Sequence, residues 1–240
     1  MARWFNVTSS RCATYEQMTK SPLIVFDLDG TLVDTAPDLI NALNFILARE
    51  GLPPVPLHSA RTMIGAGARK LIERGLESED RNVSPAELAR LTDDFINYYA
   101  EHIADVSRPF DGLEPALDDL KSRGHRFAVC TNKLEWLSKR LLDRLNLSER
   151  FAAICGADTF GVAKPDPAIL RQTVARAGGE MSSTIMVGDA GPDVGVARRA
   201  GVPVIGVSFG YTEVPILDLK PDRVIDRMSE LRAAIESLAS

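Results

Sequence analysis

The chain has 240 residues, 45% hydrophobic and 25% charged, enough to bury a substantial core in one large domain or two modest ones. Its formal net charge of −5 argues against a nucleic-acid-binding surface, which carries a basic excess. No apolar run approaches the roughly 18–20 residues that span a bilayer, and the three cysteines, Cys12, Cys130 and Cys155, show neither CxxC nor zinc-finger spacing, so free thiols in a reducing cytoplasm are expected.

Residues 1–20 carry Ser, Thr, Arg3 and Arg11 without an apolar middle. A disordered extension is expected there, with a start at Met18 or a transit peptide as alternatives. Leu23-Ile24-Val25-Phe26 is a short apolar run without alternation, as in a strand buried on both faces of a parallel sheet. Between residues 34 and 105 the pattern is helical, without convincing strands. One helix starts at Ala36-Pro37-Asp38 and stops before Gly51, and another covers residues 68–74. A third opens at Ser84-Pro85-Ala86-Glu87, a capping box with proline in the first turn, and runs to about residue 104. A crossover between parallel strands takes about a dozen residues, so this stretch reads as a separate subdomain. From Leu113 onward the helices lie at residues 114–122, at 134–145, and between Asp166-Pro167 and Gly178-Gly179. They alternate with apolar runs at residues 127–130, 184–187 and 202–207, and with weaker ones at 151–155 and 223–225. That alternation points to an α/β domain with a mostly parallel sheet.

The ends of these runs carry the chemistry. Asp27-Leu28-Asp29-Gly30-Thr31 leaves the first strand at its carboxyl end, where ligands bind in open α/β sheets. Gly30 allows the tight turn that follows. Thr131-Asn132 closes a second strand, Gly188-Asp189 a third, with Asp193 four residues on, and Lys164-Pro165 lies in a loop before a capped helix. Each has a bland alternative as a turn, a solvated charge or a helix cap. Their arrival together, in this order, favours one site.

This motif set resembles that of the haloacid dehalogenase-like superfamily, over residues 22–238. Within it, the helical insertion, the stretch from Phe26 through Asp34-Thr35, the Thr131-Asn132-Lys133 triplet and Phe209-Gly210-Tyr211 resemble phosphoglycolate phosphatases. One departure is Ala190, where the family has Ser after the Gly-Asp pair. The resemblance implies an α/β fold: a Rossmann-like parallel sheet core with helices on both faces, plus an inserted all-helical cap domain. The core would comprise residues 21–35 and 106–240, and the cap residues 36–105. It also implies a phosphatase acting on a small phosphorylated metabolite, 2-phosphoglycolate first among them, through an aspartyl-phosphate intermediate, with Mg2+ as cofactor and neither nucleic acid nor membrane as partner.

In that scheme Asp27 is the nucleophile and Asp29 the general acid and base. Mg2+ prefers a few oxygen ligands, supplied by Asp27, Asp189 and the Asp29 carbonyl. Lys164 adds positive charge, and Thr131 and Asn132 donate to the phosphoryl oxygens. Asp193 orients Lys164 or the metal waters. The cap acts as a lid with hinges near Thr35 and Arg108-Pro109. Substrate choice falls to Gly65 and Gly67, which precede a helix and could offer N–H groups to an anion, and to Arg69 and Lys133. Cys130, Trp136 and Tyr98-Tyr99 read as packing residues, and His58, His102 and His125 are scattered. The alternatives are a phosphatase or phosphomutase for a phosphosugar, pyrophosphate or nucleotide, a carbon–halogen hydrolase, which would not need Asp29 or Asp189, and a catalytically silent binding protein, which would lack one of these groups.

Overall fold

A run with no polar face has to be covered on both sides, and the computed structural model, which describes residues 21–238, places β1 (Leu23–Phe26) in the middle of a sheet with every residue buried. The expected N-terminal extension, with Cys12, lies outside the described residues. After β1 the chain forms β2 (Val33–Asp34), α1 (Ala36–Arg49), α2 (Leu57–Ala60), α3 (Ala68–Glu77), α4 (Pro85–Glu101) and β3 (Arg108–Pro109). It continues through α5 (Leu113–Ser122), β4 (Arg126–Cys130), α6 (Glu135–Arg144), β5 (Ala153–Cys155) and α7 (Pro167–Arg176). The last elements are β6 (Thr184–Gly188), α8 (Gly191–Ala200), β7 (Val204–Val207), β8 (Arg223–Ile225) and α9 (Leu231–Glu236).

Six strands form a parallel sheet in the order β5-β4-β1-β6-β7-β8. The chain builds outward from β1 on one side, then returns to its other side. That reversal opens a crevice at the carboxyl ends of β1, β4 and β6. Alternate residues face opposite sides: Ile24, Phe26, Phe127 and Val129 join one core, while Leu23, Val25, Ala128 and Cys130 join another that includes residues of α7 and α8. The first core runs on into the helical stretch, through Leu43 and Ile46 of α1, Ile72 of α3, and Phe95 and Tyr99 of α4.

The expected helices and strands appear, with small shifts at their ends. α3 runs on to Glu77 and α4 stops at Glu101. Two features differ from the sequence pattern. β2 and β3 pair antiparallel, Val33 with Pro109 and Asp34 with Arg108, so a two-stranded ribbon stands where hinges were expected. Each strand has two residues, too short for any periodicity. The helices α8 and α9 also went unread.

The ribbon is reinforced by Asp38. An acid in the first turn of a helix suggests a favourable interaction with the helix dipole, yet this carboxylate, 1% exposed, reaches across to the returning chain. It accepts from the Val106 N–H at 3.1 Å, the Ser107 N–H at 2.8 Å and the Ser107 hydroxyl at 2.6 Å. Replacing Asp38 by Ala leaves those donors without an acceptor. Asp38→Ala should cost about 3 kcal/mol and Ser107→Ala about 1 kcal/mol, measured by urea unfolding.

Candidate active site

Because β1 lies between β4 and β6, the residues that follow these strands are neighbours. Asp27 continues β1, its N–H donating to the Val187 carbonyl at 2.9 Å. Thr131 follows β4 and Asp189 follows β6. Lys164 enters from the connection between β5 and α7, and its ammonium lies 2.7 Å from Asp27 Oδ1 and 2.6 Å from Asp193 Oδ1. All four side chains are buried, together with Asp193. Oxygens of Asp27, Asp189 and Asp193 lie within 4.8 Å of one another.

Each carboxylate is fixed by different partners. Asp189 Oδ1 accepts from the Thr31 hydroxyl at 2.8 Å, and Oδ2 from the Tyr211 N–H at 2.7 Å. This crowding admits only glycine beside it. A Cβ on Gly30, whose φ is +84°, would stand 2.5 Å from Asp189 Oδ2, and one on Gly210 would stand 2.2 Å from Asp189 Cβ. Asp193 divides its oxygens: Oδ1 accepts from Lys164, and Oδ2 accepts from the Ala190 N–H at 3.0 Å. Thr31 and Tyr211 were missed as supporting groups. Both stand in segments quoted above for their resemblance, but nothing in their spacing foretells contact with Asp189.

Asp29 and Asn132 are engaged differently from what the scheme requires. Both Asp29 oxygens accept from Lys133 Nζ, at 2.8 and 3.0 Å, and that ammonium lies 4.6 Å from the centre of the Tyr99 ring. Asn132 was expected to donate to phosphoryl oxygens. Its amide instead donates to the Gly65 carbonyl at 3.1 Å and the Lys164 carbonyl at 3.3 Å, while its oxygen accepts from the Lys164 N–H at 2.8 Å. The side chain therefore ties the lysine loop to the loop before α3. Thr131 Oγ1 accepts from the Lys133 N–H at 3.3 Å, which leaves its proton to give.

A cavity of about 250 Å³ lies between the sheet crevice and the helical stretch. Asp27, Asp29, Thr131 and Lys133 line it from one side, Gly65 and Gly67 from the other. Arg69 reaches its rim, but its side chain is 59% exposed and paired with Glu73 at 3.3 Å. Cys130 is fully buried in the core beneath the sheet, and burial pushes its thiol up to about 12, in keeping with a packing residue.

The residues present fit a hard divalent cation. The clustered donors are all carboxylate oxygens, the ligands that Mg2+ takes, with neither histidine nor thiolate among them. Asp27 Oδ1 is buried and receives no well-directed hydrogen bond, although the Lys164 ammonium is near. Burial, with Asp193 and Asp27 close by, pushes the Asp189 carboxyl up to about 8; burial likewise pushes Asp27 up to about 6 against the pull of Lys164. Negative charge is in excess. Of the three, Asp193 takes both the Lys164 ammonium and the Ala190 N–H, whereas Asp189 accepts only from neutral donors and Asp27 has an oxygen without a well-directed donor.

Known proteins resemble this chain over most of its length. A family model described as haloacid dehalogenase-like hydrolase matches residues 24–207. A phosphoglycolate phosphatase of Caulobacter vibrioides is 48% identical over 218 residues, covering 90% of this chain and 92% of its own. One from Agrobacterium fabrum is 45% identical over 221 residues, covering 92% and 95%. Among solved structures, a predicted phosphoglycolate phosphatase from Haemophilus somnus superposes with a TM-score of 0.82 at 29% identity, covering 90% of this chain and 98% of its own.

The raised carboxyls have a consequence for stability. Their folded pKa values exceed the ordinary 3.8, so between that value and about 8 the folded state holds more protons than the unfolded one. The contribution is fully present below the unfolded pKa and is lost as pH rises through the folded values. In EDTA the melting midpoint should therefore fall between pH about 6 and about 8, Asp189→Asn should flatten that slope, and Mg2+ should raise the midpoint most at the upper end. A midpoint that rises with pH in EDTA would contradict the burial argument.

Proposed function

The chain belongs to the haloacid dehalogenase-like hydrolase family and is a phosphoric monoester hydrolase; we propose that its substrate is 2-phosphoglycolate and that it works through an aspartyl phosphate on Asp27. The observation that carries the mechanism is the Asp27 carboxylate at the end of the central strand, with an ammonium at 2.7 Å and Asp189 and Asp193 beside it. The substrate is read from relatives with 48% and 45% identity, and from a cavity of about 250 Å³, which suits a small ester.

Asp27, Asp189 and the Asp29 carbonyl would hold Mg2+. When bound, that ion supplies Lewis-acid charge neutralisation that lets a carboxylate approach a phosphate dianion. The chain's own groups do the rest. Lys164, held by Asp193, places a second positive charge against the phosphoryl oxygens, and the Thr131 hydroxyl donates to one of them. An Asp27 oxygen attacks phosphorus, the ester P–O bond breaks, and Asp29 gives its proton to the departing glycolate oxygen. Asp29 then takes a proton from water, whose oxygen attacks the phosphorus of the aspartyl phosphate. The P–O bond to Asp27 breaks and inorganic phosphate leaves. Residues 36–105 serve as a lid on the β2–β3 ribbon, closing the cavity and excluding bulk water while the acyl phosphate exists. The charged cleft and polar cargo suit a cytoplasmic enzyme.

The reading is tested by phosphate release from 2-phosphoglycolate and a panel of small monoesters. Activity should vanish in EDTA and return with Mg2+. Asp27→Asn, folded by circular dichroism, should lower kcat by on the order of 1,000-fold or more. Failure to release phosphate from any monoester at saturating Mg2+, or an Asp27→Asn variant with ordinary turnover, would end the proposal.

A further inference from the structure

The ion pair on Asp29 is in conflict with the role just given to that residue. An ammonium only donates, and it occupies both carboxylate oxygens at 2.8 and 3.0 Å. With Lys133 on both oxygens, the direction of the Asp29 carboxyl is set by the lysine rather than by a leaving group. A second acceptor for the ammonium would let Asp29 turn to the ester oxygen.

The surroundings of Lys133 describe that acceptor. Its side chain is 5% exposed and faces the cavity. Burial pulls its pKa down, but the Asp29 carboxylate and Tyr99 outweigh burial, so the group stays charged. Tyr99 also lines the cavity, and its buried hydroxyl makes no well-directed hydrogen bond among the described residues, although the Lys133 ammonium is near. A buried hydroxyl so placed is open to a ligand oxygen as acceptor. The walls nearby are apolar, with Leu39, Leu71, Phe95 and Ile96. They would leave the hydroxyls of a sugar phosphate unsatisfied. Lys164 is held between two carboxylates, Asp27 and Asp193, and Arg69 is largely exposed, so Lys133, paired with Asp29 alone, is the other buried cation lining the cavity.

We propose that Lys133, with Tyr99, reads the carboxylate of a short phosphorylated hydroxy acid, and that the ammonium leaves Asp29 for that carboxylate. The exchange frees Asp29 to face the ester oxygen. Substrate binding thus assembles the catalytic acid, and an ester without a carboxylate leaves it tied up. Lys133 is then a specificity-determining residue rather than a fixed brace for Asp29. This inference rests on the 2-phosphoglycolate reading above.

The test compares 2-phosphoglycolate with ethyl phosphate, which has the same length but no carboxylate, in the wild type, Lys133→Met and Tyr99→Phe. In Lys133→Met, kcat/KM for 2-phosphoglycolate should fall roughly ten- to a hundred-fold, the worth of a charge-assisted hydrogen bond, chiefly through KM. That for ethyl phosphate should rise, because Asp29 is no longer held. Tyr99→Phe should move the ratio the same way by a smaller factor without lowering the melting midpoint. Equal losses on both substrates would mean that Lys133 only orients Asp29 and would overturn the inference, as would a preference that survives both substitutions. If Lys133→Met does not fold, Lys133→Gln, which loses the charge but keeps a donor for Asp29, should lower kcat/KM for 2-phosphoglycolate and leave that for ethyl phosphate unchanged; equal losses on both would again overturn the inference. A wild type that splits ethyl phosphate as readily as 2-phosphoglycolate refutes the substrate reading and this inference together; a selective wild type with an unmoved ratio refutes the inference alone.

Discussion

Three carboxylates and one ammonium share a buried volume beside the cavity, and much of this fold answers that imbalance. Taking an ion out of water costs several kcal/mol even after relaxation. The chain offsets part of that cost with directed donors. Lys164 bridges Asp27 and Asp193, the Thr31 hydroxyl and the Tyr211 N–H serve both oxygens of Asp189, and the Ala190 N–H takes the second oxygen of Asp193. One oxygen of Asp27 is left without a well-directed donor. The uncompensated remainder is affinity held in reserve for a cation and a phosphate. It destabilises the empty protein for the same reason that it favours the loaded one.

The same loop that fixes Asp189 also reaches the helical stretch. The Tyr211 N–H holds Asp189, while the Tyr211 hydroxyl donates to Asp34 in the ribbon and accepts from the Ala36 N–H at 3.1 Å. Arg61 binds Asp34 at 3.0 Å and lies 5.2 Å from the centre of the Tyr211 ring. On the other side of the cavity, Asn132 ties the Gly65 loop to Lys164. Contacts from residues 36–105 therefore end on the groups that position Asp189 and Lys164. A displacement of the helices would loosen these groups without any change in the sheet.

What could be read in the sequence was what local chemistry dictates. The strand at residues 23–26 is legible because a buried parallel strand permits no polar residue, and α4 and α7 because Ser84 and Asp166 cap them, accepting from the Glu87 and Ala168 N–H groups. Asp27, Thr131 and Asp189 are legible because each ends such a run. Groups whose role depends on a distant partner were hidden. Asp38 looks like an acid placed for the helix dipole, but its partners lie 68 and 69 residues away. Tyr211 meets Asp189 across 22 residues and Asp34 across 177. Asn132 was assigned to phosphate because its position is right; only the fold reveals that its amide is occupied by the loops on either side. Tyr99 reads as packing, and its ring does pack, yet its hydroxyl has no place in a packing account.

Ala190 shows how a departure from the family pattern can be absorbed. A serine at the start of α8 would offer a hydroxyl to the first-turn N–H groups or to a metal-bound water, and alanine offers neither. The N–H of residue 190 itself, part-buried, depends on neither side chain there, because Asp193, three residues on, turns Oδ2 back to it at 3.0 Å. The other oxygen stays with Lys164 at 2.6 Å. One carboxylate thereby closes the helix start and holds the Lys164 ammonium, and Gly188 makes room for it, since a Cβ there would stand 2.3 Å from Asp193 Cβ. The placement of Lys164 depends on Asp193 and on the glycine beneath it.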